Sequence, residues 1–192
     1  MKIAFIVYER MNALDFIGVY DPLSRLQSMG FLPDLEWEVC GLRREIPGEK
    51  GMLFEVTRVA ESLAAYDVIV VPGGPGSRSL LHNEKFITWL RTATLIPLKV
   101  SVGSGSLLLG QAGFLIGRRA TSHPHAFLEL EPFCARVDDA RIVDEGEVVT
   151  ARGVTAAIDL GLHLVRRLAG DEARSRIARQ MDYPYADLTD YQ

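Results

Sequence analysis

The chain has 192 residues, 48% hydrophobic and 24% charged, the balance of an ordinary globular protein with one full core. A net charge of −4 and a pI of about 5.6 exclude a general nucleic-acid-binding surface, and no apolar run reaches the length of a membrane span. The first ten residues carry a single Lys and a brief apolar stretch, without the longer apolar core and cleavage site of a signal peptide, so the protein reads as cytoplasmic. The two cysteines, Cys40 and Cys134, lack metal-ligand spacing and read as small core residues.

Residues 2–7 are a continuous apolar run with β-branched side chains, the pattern of a strand buried on both faces. Residues 8–14 leave it as a loop. After Asp15, the residues Ile17, Tyr20, Leu23 and Leu26 recur at helical spacing, and Gly30 supplies the stop. Residues 36–42 read as a second strand, 43–51 as a polar connecting loop with Pro47 and Gly48, and 52–59 as an edge strand or ribbon. Residues 66–71 form an apolar strand that runs straight into Pro72, Gly73, Gly74, Pro75 and Gly76. A helix is expected over 83–94, with Phe86, Ile87 and Leu90 on one face. Residues 98–102 read as the central strand, followed by a helix over 104–112 that residues 113–117 close. Residues 118–122 are short and extended, and 123–132 a short helix or loop. Short strands follow over 134–137, 141–144 and 148–151, the last two joined by a turn at Glu145 and Gly146. A long apolar helix over 153–168 and an amphipathic one over 171–181, with Arg174, Arg176 and Arg179 exposed, complete the pattern. Strands alternating with helices, without repeat or linker, imply one α/β domain over residues 1–192 with a mostly parallel sheet covered on both faces.

The stretch from 99 to 110, KVSVGSGSLLLG, is the chemical centre of this pattern. A residue on the turn between a central strand and its following helix projects into the crevice where ligands bind in open α/β sheets. Here that residue is Gly103, which has no side chain. Ser101, Ser104 and Ser106 surround it, but a serine nucleophile needs a nearby base, and Lys99 stands where the first Gly of a G-x-S-x-G elbow would be. The serines therefore read as suppliers of amides and helix-start hydrogen bonds. The glycines at 73, 74 and 76 fit neither a dinucleotide fingerprint nor a phosphate loop; their bare N–H groups are expected to face the cleft and stabilise developing negative charge. Asp15 reads first as a helix cap and second as a general acid/base at the sheet edge. His123 and His125 form an H-x-H pair without an evident third ligand and read as structural or exposed histidines, so no metal is expected. Trp37, Trp89 and the tyrosines between 183 and 191 read as packing or dimer surface.

Five stretches in order, Asp15-Phe16-Ile17-Gly18, residues 71–76, residues 100–106, residues 117–123 and residues 150–159, resemble the DJ-1/PfpI superfamily, with the closest likeness to isonitrile hydratases. The resemblance spans roughly residues 2–183 and implies a flavodoxin-like, doubly wound sheet of the class I glutamine amidotransferase type. It also implies a homodimer, a small-molecule isonitrile substrate and no cofactor. In isonitrile hydratases the elbow reads Val-Cys-Thr-Gly-Ser, and the cysteine attacks the isonitrile carbon on the way to an N-substituted formamide. Carried over by position, Asp15 is the acid/base, Ser104 takes the place of the Thr, Gly73 and Gly74 shape the pocket wall, and Gly103 replaces the nucleophile. The resemblance thus implies an isonitrile hydratase scaffold that is inactive or nearly so, read here as a deliberate Cys-to-Gly variant of an active enzyme. The alternative is a natural ligand-binding or sensor member that kept the pocket. Peptidases and glyoxalases of the superfamily rank behind both, because its peptidases carry His after the nucleophile, where this chain has Ser104.

Overall fold

The computed structural model describes residues 1–184. Its elements in chain order are β1 (Lys2–Ile6), α1 (Ala13–Ser28), β2 (Glu36–Gly41), β3 (Glu45–Pro47), β4 (Leu53–Glu55), β5 (Arg58–Val59) and β6 (Val68–Val71). These are followed by α2 (Gly76–Leu80), α3 (Glu84–Arg91), β7 (Leu98–Val102), α4 (Gly105–Gln111) and β8 (Arg119–Ala120). The last are α5 (Phe127–Leu130), β9 (Arg136–Val137), β10 (Ile142–Asp144), β11 (Val148–Ala151) and α6 (Ala156–Gln180).

A seven-stranded sheet in the order β10-β11-β7-β6-β1-β2-β5 organises the molecule. Every neighbouring pair in it is parallel except β10 with β11. Strands β6, β7 and β11 are buried along their whole length. That burial explains why they read in the sequence as unbroken apolar runs rather than as alternating ones. Lys99 is the exception inside β7: its aliphatic stem is buried, and its ammonium donates to the carbonyls of Thr94 (2.9 Å) and Ile96 (2.7 Å) at the entrance to the strand. Two hydrogen bonds keep that charge tolerable in the core, although burial still lowers its pKa.

The chain leaves β1 toward β2 on one side and leaves β6 toward β7 on the other, so with right-handed crossovers the connecting helices lie on opposite faces. Helix α1 packs along α6, and α4 packs on α2, β6 and β7. The reversal of direction between β1 and β6 opens a crevice at the carboxyl ends of the strands.

Several local expectations change. Helix α1 starts earlier than the sequence suggested: Asn12 is its cap, accepting from the Leu14 N–H at 2.9 Å, and Asp15 is in the first turn rather than at the cap. The stretch 43–51 is not simply a loop, because β3 pairs antiparallel with β4 and buries Ile46 opposite Phe54. The ribbon read over 52–59 divides into β4 and β5, the latter an edge strand beside β2. Helix α2 was not foreseen. Strands β8 and β9 form a small parallel pair of their own. Gly170, at φ +87°, breaks α6 into the two helices the sequence indicated. Within the second of these, Arg174 is buried rather than exposed, whereas Arg176 lies over the Phe31 ring at 5.0 Å. Trp89 is buried, and its indole N–H donates to the Glu61 carbonyl at 2.7 Å. Trp37 is half-buried against Tyr20. Of the terminal tyrosines, Tyr183 bonds Asp159, and those at 185 and 191 lie outside the described residues. Among the described residues, no helix is long and apolar enough to cross a membrane.

Candidate active site

The site is built where four strand ends meet: β1 leads to Asp15 through the start of α1, β6 to Gly73 and Gly74, β7 to Gly103, and β11 to Gly153. Gly103 sits at φ +53°, the left-handed region that a side-chain-bearing residue adopts only under strain. Its neighbours hold it there. Its N–H donates to the carbonyls of Ala151 (2.9 Å) and Arg152 (3.0 Å). Its own carbonyl accepts from the Ser106 N–H (3.2 Å), the Ser106 hydroxyl (3.0 Å) and the Ser122 hydroxyl (3.0 Å). A Cβ placed on Gly103 would stand 3.2 Å from Asp15 Oδ2, with the Arg152 carbonyl oxygen at 3.8 Å and His123 Cβ at 3.9 Å. The elbow therefore aims residue 103 at Asp15.

Asp15 is only 3% exposed. Its Oδ2 accepts from the Gly73 N–H at 3.0 Å, and its Oδ1 has no hydrogen-bond partner among the described residues. Burial raises its pKa to about 7; the Gly73 N–H pulls the other way and nearby Glu49 adds to the rise. A carboxyl group so tuned exchanges a proton near neutral pH, the property a general acid/base needs. Gly73 admits this contact only because it is glycine: a Cβ there would fall 2.7 Å from Asp15 Oδ2 and 2.8 Å from the Ser104 nitrogen.

The glycine amides differ from expectation. Neither Gly73 nor Gly74 offers a bare N–H to the cleft: the first donates to Asp15, the second to the Ser104 hydroxyl oxygen at 3.0 Å. Ser104 Oγ also lies 2.9 Å from the Ser77 hydroxyl, which fixes the serine against the glycine turn. Ser106 does what the sequence suggested, bonding the elbow carbonyl at the helix start. Ser101 is buried within β7, away from solvent.

These residues enclose a cavity of about 380 Å³ whose lining includes Asp15, Gly74, Gly103, Ser104, His123 and His125. Gly73 stands behind Asp15 and does not line it. The DJ-1/PfpI family matches residues 1–167. This chain belongs to the DJ-1/PfpI family.

An isonitrile hydratase from Pseudomonas putida is 32% identical over 185 residues, covering 95% of this chain and 78% of the relative. Protein DJ-1alpha of Drosophila melanogaster is 29% identical over 122 residues, and the match covers 62% of this chain and 56% of that relative. Among solved structures, a THiJ/PfpI family protein from Pseudomonas syringae superposes with a TM-score of 0.87 at 26% identity, over 95% of this chain and 75% of that one. The flavodoxin-like α/β fold follows from both the sheet order and this likeness.

Neither cysteine of the chain reaches this site. Cys40 is buried, and burial pushes its thiol up to about 11 despite the Tyr66 hydroxyl at 3.3 Å. Burial also raises the Cys134 thiol, and neither cysteine lines the cavity. Among the described residues, no group of three or more His, Cys, Asp or Glu is placed to hold a metal ion.

The histidines are the residues that the sequence reading undervalued. His123 and His125 line the cavity, their rings edge to face at 4.9 Å. His123 Nδ1 accepts from the His125 N–H at 3.2 Å. Burial, with His125, Arg152 and Arg78 nearby, lowers the His123 pKa. Ser122, one residue before His123, bonds the elbow carbonyl and ties this connection to the site. Arg78, also on the cavity wall, is held by a two-pronged ion pair with Glu129.

Proposed function

We propose that this chain is an isonitrile hydratase scaffold in which Gly103 occupies the nucleophile position, and that as it stands it hydrates isonitriles little or not at all. The observation that carries the reading is the direction of residue 103, held at φ +53° and facing Asp15 Oδ2. With a thiolate there, the sulfur bonds the terminal isonitrile carbon while the Asp15 carboxyl delivers a proton to that carbon, giving a thioimidate. Asp15, now a carboxylate, takes one proton from water as it attacks the thioimidate carbon; the proton left on that oxygen passes to nitrogen as the adduct collapses, which expels the thiolate and leaves an N-substituted formamide. A group with a pKa near 7 serves both halves of such a cycle. The fixed Gly73 and Gly74 turn keeps Asp15 and Ser104 in place, and no cofactor enters the scheme.

The test is restoration. Gly103→Cys should convert an aryl isonitrile to its formamide while the unaltered chain gives little or none. An inert, folded Gly103→Cys protein would overturn the reading.

The second reading, a natural ligand-binding member without turnover, is favoured by one observation. The cavity and its unpartnered Asp15 oxygen persist although no thiol lines it. It predicts an inert Gly103→Cys protein and a melting temperature that rises with isonitrile or formamide, since a ligand that binds only the folded state stabilises it. The proposed assembly is a homodimer, which requires a solution mass near twice 21.3 kDa.

A further inference from the structure

Two groupings of polar side chains line the cavity beyond the elbow. One is acidic: Asp15 in α1, and Glu49 on the turn between β3 and β4, whose N–H donates to the Met11 carbonyl at 2.9 Å and whose carboxylate pairs with Lys50 at 3.0 Å. The other consists of donors: Arg78 from α2, and His123 and His125 from the connection between β8 and α5. The guanidinium of Arg78 has one edge in use. Its Nε and Nη2 donate to Glu129, which does not itself line the cavity, and its Nη1 has no acceptor among the described residues. The second edge, Nη1 with the other Nη2 hydrogen, fits a carboxylate through two parallel bonds. His123 adds a donor: since its Nδ1 accepts the His125 N–H at 3.2 Å, the neutral ring carries its proton on Nε2. The His125 ring nitrogens have no partner among the described residues. These donors begin beside the elbow, with His123 Cβ 3.9 Å from a Cβ on Gly103, and extend to Arg78, whose side chain is half-exposed.

Resting on the isonitrile reading, we infer that the substrate class is an isonitrile whose substituent carries a carboxylate. The isonitrile carbon lies at residue 103 beside Asp15, and the carboxylate bonds the free edge of Arg78 with the His125 ring next to it. A hydrocarbon substituent would cover these donors without bonding them, and each donor so covered loses its hydrogen bond to water. A carboxylate gives them an acceptor and adds a charge that Arg78 attracts. Besides burial, the groups that lower the His123 pKa are His125, Arg152 and Arg78, so the field on this side favours an anion. Glu49, on the other side, repels a carboxylate and disfavours the reversed orientation. The substituent thus orients the substrate, with its anionic end at the mouth and its reacting carbon inside.

The experiment compares para-isocyanobenzoate with its methyl ester, two aryl isonitriles that differ in the charge. In the Gly103→Cys protein, kcat/KM for formamide release should favour the carboxylate by at least about tenfold, the size of a charge-assisted hydrogen bond, with the difference in KM. The preference should shrink as salt is raised, because Arg78 is half-exposed. Calorimetric titration of the unaltered chain should give the same order of affinities. Removing Arg78 alone would leave the Glu129 carboxylate unpaired at the mouth, so the deciding variant is Arg78→Met combined with Glu129→Gln. It should bring the ratio of carboxylate to ester to within about twofold of one, while Glu129→Gln alone keeps the preference. Equal kcat/KM for the two compounds, or a preference that survives in the double variant, overturns the inference. The two claims separate cleanly: a Gly103→Cys protein that hydrates both compounds equally removes only this inference, and a folded one inert toward both removes the isonitrile reading.

Discussion

Two carboxylates, Glu38 on the sheet and Asp15 in the first turn of α1, are tuned in opposite directions. Glu38, on β2, is part of a satisfied cluster: Tyr66 donates to it, Arg58 pairs with it at 2.7 Å and Lys2 at 3.0 Å. Burial works against its charge, but those three donors outweigh it and bring its pKa to about 2. Asp15, beside the elbow, has among the described residues one donor for two oxygens and no cation paired to it, and burial carries its pKa to about 7. The two differ both in depth, Asp15 being the more buried, and in partners, Glu38 having three donors to the one of Asp15. The cluster around Glu38 joins β1, β2, β5 and Tyr66, whereas Asp15 Oδ1 is left without a partner among the described residues.

The largest effect expected from breaking this contrast is on activity. In a Gly103→Cys background, Asp15→Asn should lower isonitrile turnover by about 10²–10⁴-fold, the usual share of a general acid/base, read as kcat from formamide release. The Gly103→Cys rate itself should fall as pH rises through about 7, where Asp15 loses the proton it delivers.

Effects on stability come next. Glu38 has a depressed pKa, so its contribution is complete above the ordinary glutamate value and lost as pH falls through about 2. Glu38→Gln should therefore destabilise by about 2–3 kcal/mol near neutral pH in urea unfolding, with the penalty vanishing in acid. Asp15 runs the other way. Its folded pKa is raised, so its contribution is complete below the ordinary aspartate value and is lost as pH climbs through about 7. Asp15→Asn should flatten the decline in stability between those limits and leave the variant more stable than the parent by about 1–3 kcal/mol at mildly alkaline pH. A destabilised Asp15→Asn protein at that pH would mean the carboxylate has a stabilising partner beyond the Gly73 N–H.

What the sequence disclosed follows from what is local. The buried strands β1, β6, β7 and β11 were legible because burial on both faces writes a continuous apolar run. The elbow at Gly103 and the turn at Gly73 were legible because small residues after a strand mark a sharp exit. Strand β3 and the division of the 52–59 ribbon into β4 and β5 were hidden, since strands of two or three residues with charged neighbours are fixed by their partners rather than by their own pattern. Asp before a helical pattern is most often a cap, which is why Asp15 reads so, yet the Asn12 side chain, three residues earlier, makes the capping bond. His123 and His125 could not be placed, because their approach to the elbow depends on the connection between β8 and α5, far from Gly103 in sequence.

The most direct test of the central claim, that residue 103 faces a cleft prepared for addition to an isonitrile carbon, is the intact mass of Gly103→Cys protein quenched during turnover. The account predicts a covalent increment of one isonitrile, mapped by peptide digestion to residue 103. Protein of unmodified mass, or an increment on Cys40 or Cys134, would contradict it.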